Sequence, residues 1–302
     1  MPTTITNLST AELDDAIIQA LHTVLPVFSA FSTRLNFERG LVLGSKIKVP
    51  VVGDLTVGNK TAGTLVSTSG SITGVDVTLD AFKGASWELA EGSIDAATAG
   101  EYWKGQIPVA VSKLAKTIVD AALANLTAAN FATEVVVGAT STWTPATLAA
   151  IQTAADNKLL GGACNLLLGA EGANKLISLE QIVYAFAIAN GANTLASGQL
   201  PTALSGMPAY KYVGMPTAGN MLGAVISPAA IGIAAGAPSQ IIRSGEGNVV
   251  ERRIVEDPES GFSVQYTEAV DAGGKITGEV AAIYGSAKAT DRVVRVVSAA
   301  NT

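Results

Sequence analysis

Cysteine and histidine are almost missing from this chain. Its 302 residues include one Cys, Cys164, and one His, His22. A single thiol excludes an internal disulfide, and a zinc site would need several Cys or His ligands. A Ser-His-Asp triad would have to use His22, and no Gly-x-Ser-x-Gly turn is present to carry the serine. We therefore expect no catalytic residue, no metal and no cofactor, and we interpret Cys164 as an inert thiol in a buried strand.

Charged residues are also scarce. They make up 15% of the chain, against 48% hydrophobic residues, and the net charge is −6 with a pI near 4.9. Such an acidic chain is a poor candidate for binding nucleic acid through a basic patch. Few charges among many Val, Ala and Gly residues predict a surface that is largely covered by partners. The alternative is an ordinary Ala-rich globular protein.

One uncharged run, 212–242, has the length of a membrane span. Because Pro216, Pro228 and Pro238 interrupt it, we interpret it as a strand, a turn and a short Ala-rich helix beginning at Pro228. No cation precedes Arg34, so we expect no signal peptide. We expect no membrane among the partners of this chain.

The strongest helical signal lies at residues 94–131. Steps of three and four residues, the period of one helix face, relate Ile107, Val111, Leu114, Ile118, Ala121 and Asn125. Because proline is best tolerated in a first helical turn, Pro108 predicts a leading helix over about 95–105, a bend, and a main helix from Pro108 to about Leu126. Its apolar face needs a sheet, and strand-like sequence lies at both ends of the chain. The helix is therefore predicted to join distant segments.

An amphipathic segment opens the chain. Leu13, Ile17, Ala20 and Leu21 form an apolar stripe that predicts a helix, with Ser9 or Thr10 as its cap. Two alternatives are equally weighted at this point. The helix is either an N-terminal arm that lies on another subunit or a helix docked on its own core.

The next segment is predicted to be a long β-hairpin. Polar and apolar residues alternate over 46–51 and 75–79, as they do in half-buried strands. Residues 53–74 between them are rich in Gly, Ser and Thr. A hairpin of this kind is marginally stable alone, and so long a connection is uncommon in a compact domain. We expect it to lie on a neighbouring molecule.

The second half of the chain first alternates helices with strands and then returns to strands. Thr144-Pro145 predicts a helix start, and Ser178-Leu-Glu-Gln181 resembles a capping box that opens another helix. A small, polar loop follows at 191–205. Residues 249–255, 262–270, 276–284 and 293–297 are predicted strands.

Two local patterns are compared with functional sites. Tyr284-Gly-Ser-Ala-Lys288 has the Tyr-x-x-x-Lys spacing of short-chain dehydrogenases, but the glycine fingerprint that such enzymes need is not present. Glu256, Asp257 and Glu259 form an acidic cluster, which we interpret as a solvated turn.

The order of these parts resembles the major capsid proteins of tailed bacteriophages, which have the Hong Kong 97-type fold. Lys46-Ile-Lys-Val-Pro-Val resembles the strand that enters the extended loop (E-loop) of that family, and Val77-Thr-Leu-Asp-Ala-Phe-Lys-Gly-Ala-Ser-Trp-Glu-Leu resembles the strand that returns. Residues 94–131 are similar to the spine helix, 204–216 to a strand pair of the axial domain, and 283–293 to the last peripheral strand.

The resemblance implies an α+β fold in five parts. These are an N-terminal arm, 1–34; the extended β-hairpin loop with its flanking strands, 35–92; a peripheral domain with the long spine helix, 93–140; an axial α/β domain, 141–240; and return strands that complete the peripheral domain, 241–302.

The resemblance also implies a non-enzymatic, shell-forming function. Members of the family self-assemble into hexamers and pentamers of an icosahedral phage head that encloses double-stranded DNA. The implied partners are copies of the same chain, together with scaffold, portal and decoration proteins and weakly contacted DNA. The implied location is the virion, after synthesis in the host cytoplasm.

The resemblance further suggests which residues meet between subunits. The E-loop is expected to lie across the spine helix of a neighbour, and the loop 191–205 to lie at the symmetry axis. The candidate interface residues are Lys46, Lys48, Lys60, Glu88, Glu91, Asp95, Glu101, Asn193 and Thr194.

Three alternatives stay open from the sequence. The first is encapsulin, a bacterial cargo shell with the same fold. The second is an enzyme of the short-chain dehydrogenase type that uses Tyr284 and Lys288. The third is another lattice-forming virion protein, such as a tail component.

Overall fold

The computed structural model describes residues 9–24, 28, 30–34, 42–52, 72–89, 96–158, 164–179, 199–200, 207–238, 248–270 and 274–299. These residues form four helices, α1 (Thr10–Val24), α2 (Ala96–Leu123), α3 (Pro145–Asn157) and α4 (Ala170–Ile177). The described strands are β1 (Ser32–Arg34), β2 (Lys46–Val52), β3 (Ile72–Thr78), β4 (Ala81–Leu89), β5 (Glu134–Val136), β6 (Asn165–Leu168), β7 (Gln199–Leu200), β8 (Ala209–Lys211), β9 (Met221–Ile226), β10 (Ile231–Gly236), β11 (Asn248–Glu256), β12 (Ser263–Val270), β13 (Ile276–Lys288) and β14 (Val293–Val297).

The first sheet contains strands from both halves of the chain. Its order is β1-β10-β13-β12-β11, and β4 pairs with β13 as well. The long strand β13 pairs with β12 at one end and with β10 at the other, while β4 runs along its opposite edge. Helices α1 and α2 cover one face of this sheet. The antiparallel pair β2–β3, called the ribbon below, packs on the other face.

The second sheet has the order β5-β14-β9-β6-β8-β7. Helices α3 and α4 pack on one face, where they meet alternate residues of the strands such as Leu166, Leu168 and Val225. The residues between them, such as Leu167 and Ala224, join the same core as α2. The structure places Ser178 at the C-terminal end of α4, and the helix predicted to begin there lies outside the described residues.

Helix α2 connects the two sheets, as its sequence predicts. The predicted apolar face is buried, with Ile107, Val111, Leu114 and Ile118 at most 3% exposed. The predicted bend into two helices is wrong, because residues 96–123 form one helix with Pro108 inside it. Pro108 is exposed. The carbonyl of Lys104, which has no N–H partner there, can therefore be hydrated.

Of the two alternatives for the first helix, the structure shows the docked one. Leu13, Ile17 and Leu21 are fully buried in the core shared with α2. Ser9 caps α1, since its hydroxyl accepts the N–H of Glu12 at 3.3 Å and its own N–H donates to the Glu12 carboxylate at 2.9 Å. Helix α1 thus packs on the core of its own chain.

The helix predicted at Pro228 is also wrong. Residues 228–230 form a turn, and all six residues of β10 that follow are buried. Ile231 and Ile233 face the core with α2, while Gly232 and Ala234 lie on the face toward the ribbon. This alternation of large and small residues has a period of two, which outweighs the helix propensity of alanine when both faces are covered.

Strand β14 carries a buried charge. Arg295 is 3% exposed in a strand whose other four residues are buried valines. Its Nε donates to the carbonyl of Phe131 at 2.7 Å, and its Nη2 lies 2.5 Å from the Glu134 carboxylate. These two bonds fix the segment that follows α2 to the second sheet.

Candidate assembly surfaces

The root of the ribbon is pressed against the first sheet. Val49 and Val77 are fully buried against Ala234 and Ile283. A Cβ atom at Gly285 would lie 2.0 Å from the carbonyl oxygen of Thr78, and one at Gly232 would lie 2.6 Å from Cγ1 of Val75. Only glycine allows so close an approach at these two positions. The strands that carry the hairpin are therefore held at a fixed distance from the sheet.

The other side of the ribbon faces solvent. Lys46, Lys48 and Pro50 alternate with the buried residues of β2 and are exposed. Lys46 lies opposite Thr78 and Lys48 opposite Asp76 in the antiparallel register. The structure thus places two of the predicted interface lysines on the side of the ribbon that a neighbouring molecule can reach.

The predicted acidic partners lie on two elements. Glu88 of β4 is exposed and forms an ion pair with Lys275 of the same chain. Glu101 is exposed on α2. Lys60, Glu91, Asp95, Asn193 and Thr194 lie outside the described residues. Contact between these lysines and acids across subunits stays a prediction.

A shallow groove runs along the exposed side of α2. It is lined by Pro108, Val109, Ser112, Lys113 and Lys116. Val109 is 48% exposed, which is unusual for a large apolar residue in the middle of a long helix. The groove offers an apolar floor with two lysines beside it, a composition suited to a protein partner.

The junction between α2 and the second sheet is polar. The Tyr212 hydroxyl donates to Oδ1 of Asp120 at 2.7 Å, and Lys116 pairs with the same carboxylate at 2.5 Å. Burial, followed by the bond to Asp120, raises the pKa of Tyr212 well above its ordinary value. Val213, next in the chain, is 76% exposed. The junction therefore holds an exposed apolar side chain in a fixed place.

Three charged contacts fasten α1 to the rest of the chain. Glu12 pairs with Lys104 of α2 at 2.9 Å, Asp14 with Arg253 of β11 at 3.0 Å, and His22 with Asp257 at 2.9 Å. The hydrogen bond from Lys104, together with those from Ser9, lowers the pKa of Glu12 to about 2. Burial raises the pKa of Asp14 despite the nearby Arg253.

The interpretation of the acidic cluster at 256–259 as a solvated turn is wrong for its central residue. Asp257 is fully buried and accepts hydrogen bonds from His22, the Ser260 hydroxyl and the backbone N–H groups of Glu259 and Ser260. Burial alone would raise the pKa of Asp257, but these bonds outweigh it and lower the pKa. No local pattern in the sequence could predict this pair, because His22 and Asp257 are 235 positions apart.

The Tyr-x-x-x-Lys pattern does not form a dehydrogenase site. Tyr284 and Lys288 lie on strand β13, where residues four apart are separated by about 13 Å, rather than by the single turn of a helix. Tyr284 is 3% exposed in the core against α2. The Lys288 ammonium contacts the carbonyl of Asn130 and lies 5.0 Å above the ring of Phe131. Both side chains have structural partners.

The part of the chain that the structure describes contains no group of three or more His, Cys, Asp or Glu residues arranged to hold a metal ion. None of its helices is long and apolar enough to cross a membrane. Cys164 is half-buried just before β6, and burial raises the pKa of its thiol.

Comparison with known proteins gives a result at the level of the fold. No family model and no curated protein matches the sequence. Among solved structures, the capsid of Ralstonia phage GP4 matches with a TM-score of 0.55 and 11% identity, over 90% of this chain and 88% of that one. A virus-like particle from Pyrococcus furiosus matches with a TM-score of 0.52 and 11% identity, over 95% of this chain and 98% of that one.

A third solved structure, from Gordonia phage Cozz, matches with a TM-score of 0.50 and 13% identity, over 92% of this chain and 87% of that one. The matches span nearly the whole chain, so they include both sheets and the helix that joins them. This chain has the α+β fold of bacteriophage capsid proteins.

Proposed function

We propose that this chain is the major capsid protein of a tailed phage, which self-assembles into the hexamers and pentamers of an icosahedral head around double-stranded DNA. The observation that carries the proposal is the match to the capsid of Ralstonia phage GP4 over about nine-tenths of each chain. The protein would act as a structural component of the virion, made in the host cytoplasm. Copies of itself are its main partners, and scaffold, portal and decoration proteins are further ones.

The ribbon is the element best suited to connect subunits. Its root is fixed to the first sheet, and its lysine-bearing side is exposed. Residues 53–71, which join its last described pair, Val52 and Ile72, are the part that would reach the neighbour. A neighbour's ribbon laid along α2 would meet the groove at Val109 and Lys113. Exposed ion pairs contribute only about 0–1 kcal/mol each, so buried apolar area must supply most of the binding free energy.

Ring formation by one chain needs a heterologous contact, in which one surface of a subunit binds a different surface of the next. The ribbon and the α2 groove lie on opposite faces of the first sheet and form such a pair of unlike surfaces. The axial position of the loop 191–205 and the five-part division of the chain belong to the same proposal.

A second candidate function is a protein shell that encloses no genome. It is favoured by the match to the Pyrococcus furiosus virus-like particle, which covers 98% of that chain. The two functions share the assembly and differ in the content of the shell.

The first test is to express the chain and to image the purified product by negative-stain electron microscopy. Closed shells or capsomer rings are expected. Particles recovered from cells are then treated with nuclease before their nucleic acid is extracted. Protected double-stranded DNA in the presence of a phage packaging system favours the capsid, and empty or cargo-filled shells favour the second candidate. A monomer that never assembles, even with a phage scaffold, contradicts both.

The role of the ribbon is tested by replacing residues 53–71 with the two-residue turn Asn-Gly, which closes the hairpin at the Val52–Ile72 pair. We expect a monomer with normal secondary structure and no closed shells, because the part that reaches the neighbour has been removed. A matched control replaces 53–71 with a Gly/Ser segment of the same length. This control keeps the length of the hairpin and removes its native side chains, so it shows which of the two assembly needs. Normal shells from the Asn-Gly variant would contradict this role.

A further inference from the structure

The contact between His22 and Asp257 joins the end of α1 to the turn between β11 and β12. His22 is the only histidine of the chain and lies in the last turn of α1. Its Nε2 is 2.9 Å from Oδ1 of Asp257, and the Glu259 carboxylate lies 3.8 Å away. A protonated histidine at a helix C-terminus is also favoured by the helix dipole.

The two partners differ in their access to water. The Asp257 carboxylate is fully buried, while the His22 side chain is 41% exposed. The other hydrogen-bond donors described at Asp257 belong to its own turn, namely Glu259 and Ser260. His22 is thus the donor from outside the turn, and solvent can deliver or remove its proton directly.

Other charged groups lie on α1 and on the elements that pack against it. Those on α1 itself are Glu12, Asp14 and Asp15, and those on the elements packed against it are Lys104, Glu251, Arg253, Glu256 and Glu259. Histidine is the side chain whose ordinary pKa places its change of charge between about pH 5 and 8.

We propose that protonated His22 fastens α1 to the β11–β12 turn, so that α1 is docked at mildly acidic pH and loosens as the solution becomes alkaline. A neutral imidazole can still donate one hydrogen bond, but the buried Asp257 carboxylate then loses its positive partner. Because α1 carries the stripe of Leu13, Ile17, Ala20 and Leu21, its loosening exposes an apolar surface on α1 and another on α2.

The proposed pH dependence agrees with the effect that His22 and Asp257 have on each other's pKa. The hydrogen bond to Asp257 raises the pKa of His22 above 6.5, so its stabilisation is complete below that pH and is lost as pH rises through the raised value. The lowered pKa of Asp257 makes its contribution complete above 3.8 and lost at lower pH. The contribution of this pair to the docking of α1 is therefore complete between pH 3.8 and pH 6.5. This inference holds whether or not the chain forms shells.

Hydrogen exchange of the full chain, followed by mass spectrometry, tests the proposal. Protection of the α1 amides is measured at about pH 6 and about pH 9, corrected for the intrinsic rates, and divided by the protection of α3, which contains no histidine. We expect this ratio to fall roughly threefold or more at the higher pH. A ratio that does not change between the two pH values overturns the proposal.

Three variants separate the proton effect from a merely structural one. His22→Gln keeps a hydrogen-bond donor without a titratable charge, so its ratio is expected to be low and independent of pH. His22→Lys keeps the charge throughout, so its ratio is expected to be high and independent of pH. Glu256→Gln, the matched control, removes an exposed carboxylate next to Asp257 and is expected to behave like the unchanged chain. A pH response that persists in His22→Gln would also contradict the proposal.

The titration of the single histidine can be followed directly by NMR, because its ring proton signal needs no assignment among others. The midpoint is expected above 6.5 in the unchanged chain and to fall toward 6.5 in Asp257→Asn. Circular dichroism establishes that this variant is folded. An unchanged midpoint in a folded Asp257→Asn variant would show that Asp257 does not hold the proton on His22.

Discussion

The ribbon and α1 are attached to opposite faces of the same sheet in different ways. At the ribbon, the described contacts with the sheet are apolar, from Val49 and Val77, and they depend on the absence of side chains at Gly285 and Gly232. At α1, a buried apolar stripe is supplemented by three charged contacts, through Glu12, Asp14 and His22. The ribbon is therefore held by close apolar packing, and α1 is held by apolar packing together with ion pairs.

The difference indicates how each attachment responds to its surroundings. Apolar contacts are insensitive to pH and are not weakened by salt. Ion pairs are screened by salt and depend on the protonation of their members. The ribbon is therefore expected to remain fixed under conditions that loosen α1. Substitutions that weaken one attachment and leave the other intact test this distinction.

The largest effect is expected from Gly285→Ala. The added Cβ would lie 2.0 Å from the Thr78 carbonyl oxygen, so the ribbon must move away from the sheet. We expect a loss of about 1–3 kcal/mol in the free energy of unfolding, measured by urea denaturation. Hydrogen exchange should show lower protection in β2 and β3 while α1 is unaffected.

Gly105→Ala is the control for this change, because no heavy atom lies within 4 Å of an added Cβ at that position of α2. It should be neutral or stabilise the chain by up to about 1 kcal/mol. If Gly285→Ala left both stability and ribbon protection unchanged, the close approach would not be what holds the ribbon.

A smaller effect is expected from Arg253→Met, which weakens the attachment of α1 and not that of the ribbon. The Arg253 guanidinium pairs with Asp14 at 3.0 Å and Glu251 at 2.5 Å, and it lies 5.1 Å above the ring of Tyr266. Its removal leaves two carboxylates without their shared cation. Because the pair is partly buried, we expect a loss of about 2 kcal/mol, between the values of exposed and buried pairs. Hydrogen exchange should increase in α1 and not in the ribbon.

Arg252→Met is the matched control, since Arg252 lies on the opposite face of β11. Adding Asp14→Asn to Arg253→Met should recover part of the loss by removing one of the two carboxylates. Equal effects of the two arginine substitutions on α1 would argue against a specific role for Arg253.

The smallest effect is expected from Tyr212→Phe at the junction of α2 with the second sheet. The variant loses the 2.7 Å hydrogen bond to Asp120, while the carboxylate keeps Lys116. We expect a loss of about 1 kcal/mol by urea denaturation. Tyr210→Phe, on strand β8, serves as the control. A Tyr212→Phe variant as stable as the unchanged chain would show that packing alone holds the junction.

The sequence predicted the parts of the fold that depend on local periodicity. The buried face of α2, the stripe of α1 and the alternation in β2 and β3 were correctly predicted, because burial on one face imposes a spacing that is visible in the sequence. The order of these elements sufficed to suggest the family whose fold the structure shows.

The errors occurred where distant contacts override local preference. Pro108 is accommodated within α2 because its side of the helix is exposed, and residues 231–236 form a strand because the ribbon and α2 cover both of its faces. The pair of His22 and Asp257 depends on tertiary structure alone. The interface residues at 60, 91, 95, 193 and 194 lie outside the described part of the chain and stay predictions.

The buried Arg295 has a consequence for how accurately the second sheet can form. If Arg295 were also an apolar residue, β14 would pair almost as well after a slip of one residue, since both of its faces would be apolar. With Arg295 in the middle, such a slip would carry the guanidinium to the side of α3, among Leu148 and Ile151, away from Phe131 and Glu134. The misplaced charge therefore penalises a slip of one residue. In the proposed shell, where many copies must fold alike, Arg295 would fix the alignment of β14 in each copy.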